Sequence, residues 1–280
     1  MGEQHNLTIV EHIEEIRKRL ITIVVFFAVA VIGGFLLAKP LIKFLKTNGP
    51  AADLSLNAFN VIDPIAIYLK VVVFIGIIII LPIIMYQFWA FVSPGLLETE
   101  RKVTLSYIPF AFVLFLAGIS FSYFVLLPYV VKFMFTLSQD LGITQTIGIN
   151  QYFSFLFQIL LPFGFVFQLP VVLLFLSRLG FLNPNVLTKF RKIAYFVLFV
   201  IAAFITPPDI VSHLFVTVPL FLLYEVSILI ARVGYRKFLK AEKLRQQEEE
   251  EAERARLFAE AKAEQQRQIE EVQSRMNNNE

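Results

Sequence analysis

Six long apolar runs separated by short polar loops constrain this chain more than any motif in it. They cover about residues 20–38, 71–92, 105–127, 153–177, 193–206 and 214–231. Most approach the roughly 20 apolar residues with which a helix crosses a hydrocarbon core of about 30 Å. Lipid offers no partner to a backbone amide, so runs this long satisfy their own N–H and C=O groups only as helices. The expected fold is all-α: six transmembrane helices in a bundle (20–231), preceded by an amphipathic segment (1–19) and followed by a charged tail (232–280). A mean hydropathy of +0.70 excludes an ordinary soluble domain.

Orientation follows from the basic residues, because cytoplasmic loops hold the excess. One side carries Arg17, Lys18, Arg19, Arg101, Lys102, Arg178, Lys189, Arg191, Lys192, Arg232, Arg236, Lys237, Lys240, Lys243 and Arg245. The other has Lys39, Lys43, Lys46, Lys70 and Lys132, fifteen against five. Both termini are expected in the cytoplasm. The net charge of +3 thus reflects topology rather than a nucleic-acid surface. The first run is longer than a signal-peptide core and lacks a small-x-small cleavage pattern after it, so it is expected to remain as a helix.

Polar groups inside the runs are where function is sought, since burying them in lipid is costly. Gln168 lies in the fourth run and Glu225 in the sixth, with Asp209 and His213 at the outer end of the last two. Gln168 has a local reading: Pro170 frees the carbonyl of Val166, which the amide could use within a kinked helix. Glu225 has one too, as a protonated carboxyl bonding a neighbouring helix. Pro82, Pro109, Pro162, Pro170 and Pro219 fall inside the spans and are expected to bend them into a curved bundle with a concave face. The fifth run is about 10 Å short of the hydrocarbon thickness at 1.5 Å per residue, which predicts local thinning or a partner helix beside runs five and six.

Two acidic segments share the basic side. Thr8 and Glu11 have capping-box spacing, so a helix is expected to start there and run into the first span. Glu14 and Glu15 then lie four residues before Lys18 and Arg19, a spacing that also fits simple i to i+4 pairs. In the first loop on that side, Ser93 and Pro94 suit a helix N-cap and first position, placing Glu98 and Glu100 on a short helix before the third span.

HIEEIRKRL at 12–20, PLIK at 40–43, YQFWAFVSPGLLETERK at 86–102, the Gln168-Leu-Pro turn, TPPD at 206–209 and the LYE triplet ending at Glu225 occur in that order. Together they closely resemble the TatC family, the six-span core subunits of the twin-arginine protein translocase, over about residues 8–235. The resemblance implies a receptor for signal peptides bearing paired arginines, assembled in several copies with a single-span partner of the TatA type in the lipid bilayer. It assigns the arginine pair to Glu15 and Glu100, with Arg17, Phe91 and Pro94 shaping that surface. Carboxylates suit the task, because guanidinium binds them through two parallel donors that lysine cannot copy. It places Thr206 and His213 in a polar patch that receives the partner helix, Pro40 in the first outer loop, and Pro207, Pro208 and Asp209 in a motif whose role stays open. The family often has Glu where this chain has Gln168, which weakens any scheme with a titrating carboxyl there.

The tail beyond about Lys240 alternates basic residues with Glu and Gln, the pattern of a solvated helix or a disordered segment. A secondary transporter for a small solute, using Gln168 and Glu225, is the alternative function; it predicts an internal repeat, and none is visible. Intramembrane hydrolysis lacks its nucleophile and base. The chain has no cysteine and three histidines, His5, His12 and His213, none paired inside a span. No metal, cofactor or nucleotide-binding loop is expected, and by resemblance the energy source is the proton-motive force.

Overall fold

Helices in this chain run well past the apolar segments that announce them, because the flanking residues are themselves good helix formers. The computed structural model describes residues 9–50, 52, 54–93, 98–206 and 210–277. Its helices are α1 (Ile9–Thr47), α2 (Asp63–Val92), α3 (Glu98–Leu105), α4 (Tyr107–Phe121), α5 (Leu127–Asp140), α6 (Ile149–Val166), α7 (Leu169–Arg178), α8 (Pro184–Lys189), α9 (Arg191–Ile205) and α10 (Ile210–Asn277). Among the described residues, five helical stretches are long and apolar enough to cross a membrane: Ile13–Thr47, Asp63–Val92, Val103–Asp140, Ile149–Arg178 and Ile210–Arg267. At 15 residues α9 is about 22 Å long, short of the hydrocarbon core as its sequence implies.

Proline shapes the spans in two ways. Helices continue through Pro82, Pro162 and Pro219, and also through Pro40 in α1, so Pro40 lies within a helix and not in the first outer loop. Elsewhere the ladder changes. Pro128 follows a π-turn at Ser122–Leu126, where the N–H of Leu127 donates to the carbonyl of Ser122, five residues back. A proline with no donor leaves its i−4 carbonyl unclaimed, and widening the turn by one residue absorbs the mismatch. The fourth span breaks outright at Phe167 and Gln168, with Pro170 in the first turn of α7.

Close pairing of helices rests on glycine, as expected where lipid supplies no hydrophobic drive for association. A Cβ on Gly34 of α1 would sit 2.8 Å from the Val72 carbonyl oxygen, and one on Gly76 of α2 would sit 2.9 Å from Val31. The same reciprocity joins α4 to α6, where Gly118 meets Phe163 and Phe167 while Gly164 meets Phe115. The core between these pairs is built from Val71, Leu127, Phe153, Leu156, Leu160, Phe163 and Leu220. At the less basic end, a two-residue parallel strand pair, Leu56 to Ile147 and Asn57 to Gly148, ties the loop after α1 to the loop before α6. Asp63 opens α2 by accepting the N–H groups of Phe59 and Asn60 at 3.0 and 2.9 Å.

The charged tail is helical: α10 runs unbroken for 68 residues from the last span to Asn277. Its residues 243–267 are exposed and include the i to i+4 pair Arg245–Glu249 at 3.2 Å.

Gly34→Ala should destabilise the protein by about 1–3 kcal/mol, since its new methyl meets backbone that cannot swing aside. Gly33→Ala, whose Cβ would meet nothing within 4 Å, should change the unfolding midpoint in detergent little. Equal effects of the two would remove the close α1–α2 approach as a source of stability.

Candidate functional site

The last two turns of α2 act as a post to which both acidic segments are tied. On α1, Glu15 accepts Nε and Nη2 of Arg19 at 3.1 and 2.5 Å, both on Oε1. Arg19 also reaches across to α2, donating to Gln87 Oε1 at 3.3 Å and to the Ala90 carbonyl at 3.0 Å. That carbonyl lies in the last turn of α2, where oxygens lack intrahelical donors and a cation is favoured. The neighbouring pair, Lys18 with Glu14 at 2.9 Å, is exposed. The i to i+4 reading of both acids therefore holds, and for Glu15 it is one side of an interhelical clamp. Glu15 Oε2 takes no hydrogen bond among the described residues. Arg17 is exposed beside this clamp.

From the other direction α3 docks on the same turns. Trp89 Nε1 donates to Thr104 Oγ1 at 3.0 Å in a buried contact, and the Arg101 guanidinium lies 5.7 Å from the centre of the Trp89 ring. A cation over an indole face contributes about 0.5–2 kcal/mol. Glu100, next to Arg101, is carried by α3; its side chain and Pro94 lie outside the described residues. Phe91 is partly buried on the post itself. Ser93 closes α2 in helical conformation, its N–H donating to the Trp89 carbonyl and its hydroxyl to the Ala90 carbonyl at 3.2 Å; the turn that it was expected to open with Pro94 lies outside the described residues.

Glu225 is not a solitary mid-membrane carboxyl. Arg191 Nη2 donates to its Oε2 at 2.7 Å and the Tyr195 hydroxyl to its Oε1 at 2.5 Å. Arg191 is the first residue of α9, so the pair sits toward the basic end of the bundle. Tyr195 in turn stacks on Phe221, and Tyr224 donates to the Leu187 carbonyl at 3.1 Å. These contacts pin the short α9 and α8 to α10. Periodicity could not reveal the pair, because Arg191 and Glu225 are joined only by the fold.

Gln168 marks the break in span four, and its amide is used between helices, not locally. Nε2 donates to the Ala111 carbonyl of α4 at 3.1 Å, while Oε1 is buried without a partner. At the other end of the last two spans, Thr206 donates to the Ala202 carbonyl at 2.9 Å and its hydroxyl lies 3.4 Å from His213 Nδ1. His213 packs edge-on to Phe199, and among the described residues its Nε2 is buried without a partner, as is the hydroxyl of Thr217 one turn on. Thr206 and His213 are thus brought together as one polar patch. Pro207, Pro208 and Asp209 lie outside the described residues. Among those described, no group of three His, Asp or Glu side chains could hold a metal ion.

Comparison with known proteins agrees with this architecture throughout. The family model described as Sec-independent protein translocase protein (TatC) matches residues 11–219. The chain is 55% identical over 237 residues to the Sec-independent protein translocase protein TatCy of Bacillus subtilis, covering 85% of this chain and 93% of that protein. It is 53% identical to a TatC protein of Halalkalibacterium halodurans over 88% of its own length and 97% of the relative's. A crystal structure of the twin-arginine translocase receptor TatC superimposes with a TM-score of 0.70 at 32% identity, over 80% of this chain and 99% of that one. The chain belongs to the TatC family of Sec-independent protein translocases: a multi-spanning, all-α membrane protein that serves as a translocase subunit and not as an enzyme.

Proposed function

We propose that the chain is the signal-peptide receptor of a bacterial plasma-membrane translocase, with Glu15 and Glu100 gripping a pair of arginines at its cytoplasmic face. One observation carries this reading: the Glu15 segment and the Glu100-bearing α3 are fastened to the same two turns of α2, by Arg19 through Gln87 and Ala90 and by Trp89 through Thr104. Arg19 already demonstrates guanidinium binding at Glu15, and the second carboxylate oxygen is available for another. Arg17 and Phe91 border this surface, and the family resemblance adds Pro94 to it. Six spans place both termini in the cytoplasm, α9 crossing as a short span where the bilayer thins or a partner helix supports it. The single-span TatA-type partner docks at Thr206 and His213, which flank Pro207, Pro208 and Asp209 in the sequence. Solute transport loses its two residues on this reading, because Gln168 is spent on Ala111 and Glu225 on Arg191.

Purified chain should bind a labelled twin-arginine signal peptide and reject its twin-lysine version. Glu15→Ala and Glu100→Ala should each weaken binding about 10- to 100-fold, the range for losing a charge-assisted hydrogen bond. Export of a twin-arginine cargo that survives both changes together would overturn the assignment.

Topology is directly testable because the chain has no native cysteine. A cysteine at Phe181, between α7 and α8, should react with an impermeant maleimide only from the cytoplasmic side. One at Gln145, between α5 and α6, should react only from outside. The reverse pattern would invert the orientation.

Arg191→Leu or Glu225→Leu alone should destabilise the α9–α10 contact by up to about 3 kcal/mol, by leaving one charge unpaired near lipid. The double change should recover part of that loss in a detergent unfolding assay. Simple addition of the two penalties would show that the ion pair does not join these helices.

A further inference from the structure

A second polar feature lies at the opposite end of the bundle and takes no part in the receptor surface. Lys70, counted above among the outer loop charges, is inside α2, seven residues beyond Asp63. Its ammonium donates to Asn150 Oδ1 and to Ser154 Oγ, each at 2.6 Å. Asn150, Ser154 and Gln158 follow one another at four-residue intervals along α6, so they form a polar ladder on one face of a mostly apolar helix. An ammonium has three donors, and neither acceptor on Lys70 carries charge. Asp63, the one acid of α2, already accepts two backbone N–H groups and reaches Lys70 only through the Asn150 amide. Among the described residues no carboxylate forms an ion pair with Lys70.

Depth decides what kind of anion fits. α2 has 30 residues and is about 45 Å long, matching a bilayer with its headgroup regions. Lys70 lies about 10 Å from the start of that helix, near the hydrocarbon boundary. Helical side chains tilt toward the N-terminus, which here directs the ammonium outward to the first turns of α6. From this cation an open groove of about 480 Å³ runs inward between α2 and α6, walled by Val73, Ile77, Phe157 and Leu161. A cation and a hydroxyl at headgroup depth, continuous with an apolar trough open to the bilayer, match the two parts of a phospholipid.

We propose that Lys70, Asn150 and Ser154 form a binding site for the phosphodiester of an anionic phospholipid, with an acyl chain lying in the groove between α2 and α6. The phosphate accepts a hydrogen bond from the third N–H of the Lys70 ammonium, and its negative charge supplies the counter-ion that no carboxylate among the described residues provides. The chain packs on Val73, Ile77, Phe157 and Leu161, which would otherwise face fluid lipid.

The test uses the full chain purified in a mild detergent and titrated with phosphatidylglycerol, with bound lipid read by native mass spectrometry and the unfolding midpoint read in parallel. Wild type and Lys70→Arg should retain phosphatidylglycerol and gain thermal stability from it, whereas Lys70→Gln should bind it at least fivefold more weakly. If Lys70→Gln does not fold, Ser154→Ala carries the same comparison. Retention by Lys70→Gln equal to wild type would overturn the site. Equal stabilisation by inorganic phosphate alone would make it a free-anion site and overturn the lipid assignment. A photo-crosslinker at Ile77 that joins a TatA-type subunit in membranes, and no lipid, would mean that the groove holds a protein helix instead.

Discussion

Hydrocarbon cannot solvate a peptide group, and every unusual feature of this bundle traces to that refusal. Prolines in the spans withdraw donors and leave carbonyls to be claimed. Where the ladder tolerates it, the helix simply continues, as at Pro82 and Pro219. Near Pro128 it widens into a π-turn. At Pro170 it parts, and Gln168, placed at the break, binds α4 through the Ala111 carbonyl. The same side chain that looks like a transport group thus ties the break in span four to α4.

Charge obeys a parallel rule, since an ion near lipid is tolerated only with a partner or a route to water. Glu15 has Arg19, Glu225 has Arg191 and Tyr195, and Lys70 has two neutral oxygens. These arrangements differ in what they leave over. Glu225 is satisfied at both oxygens and holds α9 against α10. Glu15 keeps one oxygen in reserve and Lys70 one proton. Residual capacity of that sort distinguishes a group placed to receive something from a group placed to hold the fold.

Much of this was legible in the sequence for a simple reason: lipid imposes a one-dimensional pattern of run length and loop charge. The helical character of the spans, the shortness of α9 and the i to i+4 pairs of Glu14 with Lys18 and Glu15 with Arg19 were readable from pattern alone, while the patch of Thr206 and His213 came from the family resemblance. Contacts between distant segments were not. Glu225 looked solitary because its partner lies 34 residues away on another helix. Lys70 passed for a loop charge because apolar runs were bounded at Val71, although the helix begins at Asp63. Pro40 was out of reach for a local reason: proline reads as a boundary residue, yet α1 continues through it to Thr47.

One feature of the last span changes the mechanics of the whole protein. Because α10 passes from the bundle into the charged tail without an intervening break, span and tail form one continuous helix. The part beyond Arg232 is about 70 Å long at 1.5 Å per residue. A tilt of about 5° in the membrane segment would sweep its far end through roughly 6 Å by simple leverage. Geometry alone therefore makes the far end of the tail the point most displaced by a tilt of the last span, with Thr206 and His213 beside the opposite tip of the same helix.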